Sequence, residues 1–114
     1  MDKPFFRQVA DEMLDGDTAR QVADKEAELS IRPDWAEGHF HLAQLLRVQH
    51  KRDAAKLELL RALELKPSLA DAHVALGEIY LAEDDLPRAR EHADLAAGFG
   101  NPRLQEQMNR HGAE

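Results

Sequence analysis

The sequence predicts an all-α protein built from a helical repeat, and three observations support this class. Alanine, leucine, glutamate and arginine dominate the composition, and β-branched and aromatic residues are sparse, which favours helix over sheet. Apolar residues recur three and four positions apart, as in Leu42, Leu45 and Leu46, so that each helix has one buried stripe. The segment 29–33 also recurs, 34 residues later, as the segment 63–67.

Length, charge and cysteine content limit the classes of function. A chain of 114 residues, 43% hydrophobic and 32% charged, is typical of one globular domain. The net charge of −7 argues against nucleic-acid binding, because phosphate recognition depends on a basic surface. There is no cysteine, no apolar run typical of a signal peptide, and no stretch near the roughly 20 apolar residues of a membrane span. We therefore expect a cytoplasmic protein with no nucleic-acid or membrane partner.

About seven helices are expected, at 4–15, 18–31, 35–49, 52–65, 69–82, 86–98 and 102–111. Gly16 lies between the first two. Pro33 and Pro67 end the helices that precede them, because proline disfavours helix at the residue before it. Pro87 is expected in the first turn of the sixth helix, where its missing N–H does no harm.

The third and fifth helices have expected capping residues at their starts. Asp34 and Ser68 each precede a carboxylate, Glu37 or Asp71, by three positions, a pattern close to the capping box. Each follows directly after the proline of its repeat. If Ser68 is the N-cap, Ser68→Ala should cost about 1 kcal/mol.

The last helix is expected to close the structure at its C-terminal end. Gly98 and Gly100 end the helix before it, and the dipeptide at 101–102 begins it. Leu104 and Met108 lie four residues apart on an otherwise polar helix. One apolar stripe and a polar outer face are typical of the helix that caps a stack of repeats.

Small residues follow the 34-residue spacing through the chain. Six alanine and glycine positions are expected where two helices cross closely, because only these residues let the backbones approach; they are Ala43, Ala55, Ala62, Gly77, Ala89 and Ala96. Ala43 pairs with Gly77, Ala55 with Ala89, and Ala62 with Ala96 at the same offset of 34.

These residues resemble the tetratricopeptide-repeat (TPR) family, whose helix–turn–helix unit has a Leu-Gly pair and an aromatic in the first helix, alanines in the second, and a closing proline. The matching residues are Leu76, Gly77, Tyr80, Ala89 and Ala96, and, with softer substitutions, Leu42, Ala43, Leu46, Ala55, Ala62 and Pro67. The resemblance implies a right-handed α-solenoid of antiparallel helix pairs in a single domain, 1–114. It divides the chain into a degenerate first repeat at 1–35, repeats at 36–69 and 70–101, and a capping helix and tail at 102–114.

The resemblance also implies a concave groove that holds a peptide or helical segment of another protein, in a scaffold or adaptor role. The corresponding positions are Glu37, Phe40, His41, Gln44, Arg47, Val48, Asp71, Val74, Ala75, Glu78 and Leu81. This wall is mixed, with three carboxylates, one arginine and several apolar residues, and we expect a basic or amphipathic partner. TPR domains that bind acidic chaperone tails carry basic or amide residues where this chain has His41, Asp71 and Ala75. Asp71 would repel a carboxylate, which argues against that ligand.

The sequence predicts no enzyme, no metal site and no cofactor. His39 and His41 lie two apart and so point to different sides of a helix, which is poor geometry for chelation. His39 and His73 occupy equivalent repeat positions, where we expect them to pack between helices. The sequence has no His-Glu-x-x-His motif, phosphate-binding glycine loop or serine nucleophile beside a base.

Two alternatives stay open at this point. Phe5 and Phe6 lie beside the degenerate repeat and could cover apolar surface in a homodimer that stacks through helical ends, unless one ring packs within its own chain. A histidine-bound metal enzyme is the less favoured alternative, and stoichiometric metal in the purified protein would support it.

Overall fold

A computed structural model describes residues 3–112, with side chains from 16 to 111, and it is all-helical, as predicted. The six helices within these residues are α1 (Lys3–Ile31), α2 (Ala36–Val48), α3 (Arg52–Leu65), α4 (Ala70–Ala82), α5 (Leu86–Gly98) and α6 (Arg103–Gly112). From α2 onward, each bound lies within one residue of the predicted one. No strand occurs in the described residues. No helix among them is both long and apolar enough to cross a membrane.

Neighbouring helices pack against one another in chain order. α2 packs on α1 and α3, α4 on α3 and α5, and α6 on both α5 and α4. The connections within α2–α3 and α4–α5 are each three residues long, at 49–51 and 83–85, and those before α2, α4 and α6 are four residues long. Short connections of this kind make successive helices antiparallel neighbours. The shortest dimension of the molecule is 20 Å, about two helix diameters.

The predicted break in the first 31 residues was wrong, because α1 is one continuous helix of 29 residues. The glycine at position 16 lowers helix propensity by about 1 kcal/mol relative to alanine but keeps its backbone N–H, so it does not interrupt the hydrogen-bond ladder. The segment contains no proline beyond the first turn of the helix. The two helices expected at 4–15 and 18–31 are therefore joined, and the described residues hold six helices instead of about seven.

The predicted N-caps of α2 and α4 were also wrong. Trp35 and Leu69 occupy the N-cap positions, and neither helix start receives a side-chain capping hydrogen bond. The turns before these helices are held by the backbone instead, since the N–H of Trp35 donates to the carbonyl of Arg32 and that of Leu69 to the carbonyl of Lys66. Helix begins one residue later than the capping pattern predicted, which leaves Asp34 and Ser68 exposed in the turns.

The small positions predicted from the repeat are all buried. The five alanines at 43, 55, 62, 89 and 96 have no exposed surface. At Gly77, an added Cβ would lie 2.4 Å from the Cδ2 atom of Leu104, so α6 packs where only glycine fits without rearrangement. The core around these positions contains the fully buried Leu59 and Leu76, and it continues from α1 through α4.

The C-terminal end closes as the sequence predicted. Leu104 is 1% exposed and packs with the helices α4 and α5, and Met108 packs beside it. Pro87 lies in the first turn of α5, where the Asp85 side chain accepts a hydrogen bond from the N–H of Arg88. Gly100 has a φ of 106°, a left-handed conformation that glycine adopts readily, and the chain turns there into α6.

Candidate binding groove

Six of the eleven residues predicted for the groove line one recess between α2, α4 and α6. The recess has a volume of about 310 Å³. Its lining residues are Phe40, Gln44, Asp71, Val74, Ala75, Glu78, Asn101 and Arg103. Val74 and Ala75 are each 2% exposed and form an apolar floor, with the half-buried Phe40 ring beside them. Polar groups surround this floor, so the recess can accept an apolar side chain and hydrogen-bond the groups around it.

The two carboxylates that line the recess each have a polar partner within the chain. Glu78 lies 3.3 Å from the Arg47 guanidinium and 3.6 Å from that of Arg103. The Asn101 amide donates to the Asp71 carboxylate at 2.9 Å. Because an ionised carboxylate has about four acceptor sites, each of these groups keeps capacity for a further donor.

Arg47 lines a larger cavity, of about 760 Å³, on the side of the α2–α3 turn. Its guanidinium is held between the Gln44 side-chain oxygen, at 3.2 Å, and Glu78. The larger cavity is lined by Arg47, His50, Lys51, Arg52, Asp53, Ala54, Glu78, Ile79, Ala82 and Glu83. Glu78 is a wall of both spaces, so they adjoin along α4.

The remaining predicted residues lie outside the smaller recess. Glu37 forms an ion pair with Lys66 at 3.0 Å, and this hydrogen-bonded ammonium lowers the pKa of the Glu37 carboxyl below its ordinary value. His41 is exposed, with its ring against those of Trp35 and Phe40. Val48 is 64% exposed at the end of α2. Leu81 lines a third cavity, of about 670 Å³, with residues of α5 and α6.

Asn101 and Arg103 complete the recess, and the sequence interpretation did not include them. Asn101 lies in the turn before α6 and Arg103 is the first residue of that helix. Because α6 packs on α4, Asn101 contacts Asp71 and Arg103 contacts Glu78. One signal was present in the sequence, since Asn101 follows Pro67 by 34 positions and therefore precedes a helix equivalent to α2 and α4. The helix at 102–111 was predicted only to cap the stack of repeats.

His39 and His73 pack between helices, as their equivalent positions predicted. They are 7% and 6% exposed. The Nε2 atom of each lies 2.9 Å from a proline carbonyl six residues earlier, that of Pro33 or Pro67. No group of three histidine or acidic side chains placed to hold a metal ion occurs among the described residues.

Phe5 and Phe6, which motivated the homodimer, lie outside the residues whose side chains the structure describes. Comparison with known proteins adds no identity, because no protein-family model matches this chain and no curated protein matches it either.

Proposed function

We propose that this chain is a TPR-like protein-interaction module, a short α-solenoid that holds a peptide or helical segment of a partner protein and carries out no catalysis. The observation that carries the proposal is that six of the eleven positions implied by the TPR resemblance line one recess with an apolar floor and a polar rim. They are Phe40, Gln44, Asp71, Val74, Ala75 and Glu78. Recesses of this composition suit the apolar anchor of an amphipathic segment.

The charges of the rim favour a partner that brings hydrogen-bond donors. Among the described side chains, Asp71 is bonded only through Oδ1, to an amide, so its negative charge has no cationic partner. A lysine or arginine of the partner would add a charge-assisted hydrogen bond there. An acidic segment would meet uncompensated like charge at the same place, which argues against an acidic tail as the ligand.

The proposal can be tested by reversing the charge of Asp71. Asp71→Lys places an ammonium on the rim, and we expect it to abolish or strongly weaken capture of the partner recovered by the unchanged protein. Glu64→Lys is the matched control, because Glu64 is an exposed acidic residue of α3 outside the cavities described above and the charge change is the same.

A photo-crosslinking side chain at Gln44 provides a second readout, compared with the same group at Glu64. Crosslinks from position 44 alone would support the groove. Equal recovery of the partner by Asp71→Lys and Glu64→Lys, together with crosslinks from position 64 alone, would instead locate binding on the outer face.

A further inference from the structure

Four rings stack in a column that joins α4, α5 and the turn before α6. In order they are Phe99, His73, His92 and Tyr80, with centroid separations of 5.7, 5.3 and 5.6 Å and interplanar angles of 18°, 27° and 17°. We call these four residues the ring column. At its centre, the Nδ1 atoms of His73 and His92 lie 3.1 Å apart, which is hydrogen-bond distance.

Elementary chemistry assigns the protons in this pair. The carbonyl of Pro67 can only accept, so Nε2 of His73 carries a proton and donates it there. When His73 is neutral, its Nδ1 has a lone pair, and it accepts a hydrogen bond from Nδ1–H of a neutral His92. Both ring nitrogens of His73 then have a hydrogen-bond partner.

The pair can hold one added proton but not two. With a single proton on His92, the Nδ1–H donor remains and the hydrogen bond persists. A second proton must go to Nδ1 of His73. Two N–H groups then face each other with their nitrogens 3.1 Å apart, on two positively charged rings whose centroids are 5.3 Å apart. Separating the rings relieves this repulsion.

The surroundings give little compensation for that charge. The Lys56 ammonium and the Arg88 guanidinium lie over the Tyr80 ring, 5.4 and 5.9 Å from its centroid. Glu91, next to His92 on α5, is the acidic group that raises the pKa of His92, and the Glu91 side chain is exposed. From α6, the apolar Leu104 approaches Gly77 near His92. Burial and the neighbouring His73 together lower the pKa of His92 below its ordinary value.

Of the two complete repeats, the first (36–69) has the opposite chemistry to the second (70–101) at the positions of His73 and His92. His39 is equivalent to His73, and Glu58 is equivalent to His92, because each pair is 34 residues apart. Nδ1 of His39 lies 2.7 Å from the Glu58 carboxylate. A proton on His39 therefore creates an ion pair, whereas two protons on the second-repeat pair create a repulsion.

We propose that the His73–His92 pair is an acid-sensitive contact that holds α5 and α6 on α4 at neutral pH and releases them selectively as the pH falls. In acid the open form binds more protons than the closed form, so acid favours opening. Asn101 and Arg103 lie only two and four residues after Phe99, so opening would also disturb the recess. That last consequence, but not the opening itself, rests on the proposed function.

Hydrogen exchange of the full chain at pH 7.5 and pH 5.0, corrected for intrinsic rates, tests the proposal without any partner. We expect the amides of α5 and α6 to lose protection at pH 5.0, by about tenfold or more, while those of α2 and α3 keep theirs. Equal loss in all helices, or none, would overturn the proposal.

Two substitutions that transfer a residue from one complete repeat to the equivalent position of the other make the test specific. His92→Glu recreates the first-repeat contact, and we expect it to remove the selective loss in α5 and α6. Glu58→His creates the histidine pair in the first repeat, and we expect acid-dependent loss of protection in α2 and α3.

Should His92→Glu fail to fold, Glu58→His and NMR of the imidazole tautomers still decide the outcome. The proposal requires Nε2–H on His73 and Nδ1–H on His92 at pH 7.5. The opposite tautomer on either ring would contradict it.

Discussion

Trp35 and Gly38 are two neighbouring residues whose sizes are matched to each other. A Cβ added at Gly38 would lie 2.3 Å from Cε3 of the Trp35 indole and 2.9 Å from Cδ2 of the buried Leu29. The equivalent residues 34 positions later are Leu69 and Ala72, so a smaller side chain than tryptophan stands beside a larger one than glycine. The glycine therefore compensates for the bulk of the tryptophan, and the two positions should be energetically coupled.

We predict that Gly38→Ala destabilises the protein by about 1–3 kcal/mol, because the indole and Leu29 leave no space for a methyl group. In a Trp35→Leu background, the same substitution should be neutral or stabilising, because leucine and alanine coexist at the equivalent positions 69 and 72. Urea unfolding of the four proteins gives the coupling free energy. Equal effects of Gly38→Ala in both backgrounds would show that the indole is not the obstacle.

At the scale of the helix, the start of α5 differs from those of α2 and α4. Asp85 accepts a hydrogen bond from the N–H of Arg88, and its carboxylate also lies 2.8 Å from the Arg88 guanidinium. These contacts lower the pKa of Asp85, chiefly through the guanidinium hydrogen bond. In contrast, α4 begins without any side-chain cap, although Ser68 lies next to its N-cap position.

We therefore expect Asp85→Ala to lower the urea midpoint of unfolding and Ser68→Ala to leave it unchanged. A lowered folded-state pKa means that the contribution of Asp85 is present above its ordinary value of 3.8 and is lost as the pH falls through the folded value. The difference between Asp85→Ala and the unchanged protein should accordingly disappear in strong acid. A large effect of Ser68→Ala would show that it caps α4 in solution.

Sequence reasoning was most successful where the information is local or periodic. The 34-residue spacing predicted the buried alanines, the bounds of α2 to α6 and the packing roles of His39 and His73. The capping pattern failed at Asp34 and Ser68, because a turn held by backbone hydrogen bonds begins each helix one residue later.

The continuity of α1 and the contacts between helices that are distant in sequence could not be predicted in this way. Whether a helix stops near Gly16 depends on what packs against it, and the roles of Asn101 and Arg103 depend on where α6 docks. The pairing of His73 with His92 joins residues 19 positions apart on different helices, so only the packing of α5 on α4 shows it.

For the whole molecule, α6 has two roles, since it closes the C-terminal end and contributes to the groove. Leu104 is buried against α4 and α5, and the residues just before it provide a wall of the recess. Loss of the Leu104 anchor should therefore affect both the closure of the C-terminal end and the shape of the groove.

Leu104→Ala should destabilise the protein by about 2–5 kcal/mol, as is typical of a buried leucine. Leu57→Ala is the control, since Leu57 is 60% exposed on α3 and should cost much less. Urea unfolding measures both. Similar costs for the two variants would mean that α6 contributes little to the folded state.

The positions of Trp35 and Tyr80 give each half of the molecule its own optical signal. The chain has one tryptophan and one tyrosine. Trp35 lies between α1 and α2, with Lys25 and Arg32 over its ring, whereas Tyr80 ends the ring column beside α5. Tryptophan emission and the near-ultraviolet tyrosine band therefore follow different halves during unfolding. If the halves unfold together the two curves coincide, and if acid releases the second half first the tyrosine curve shifts alone.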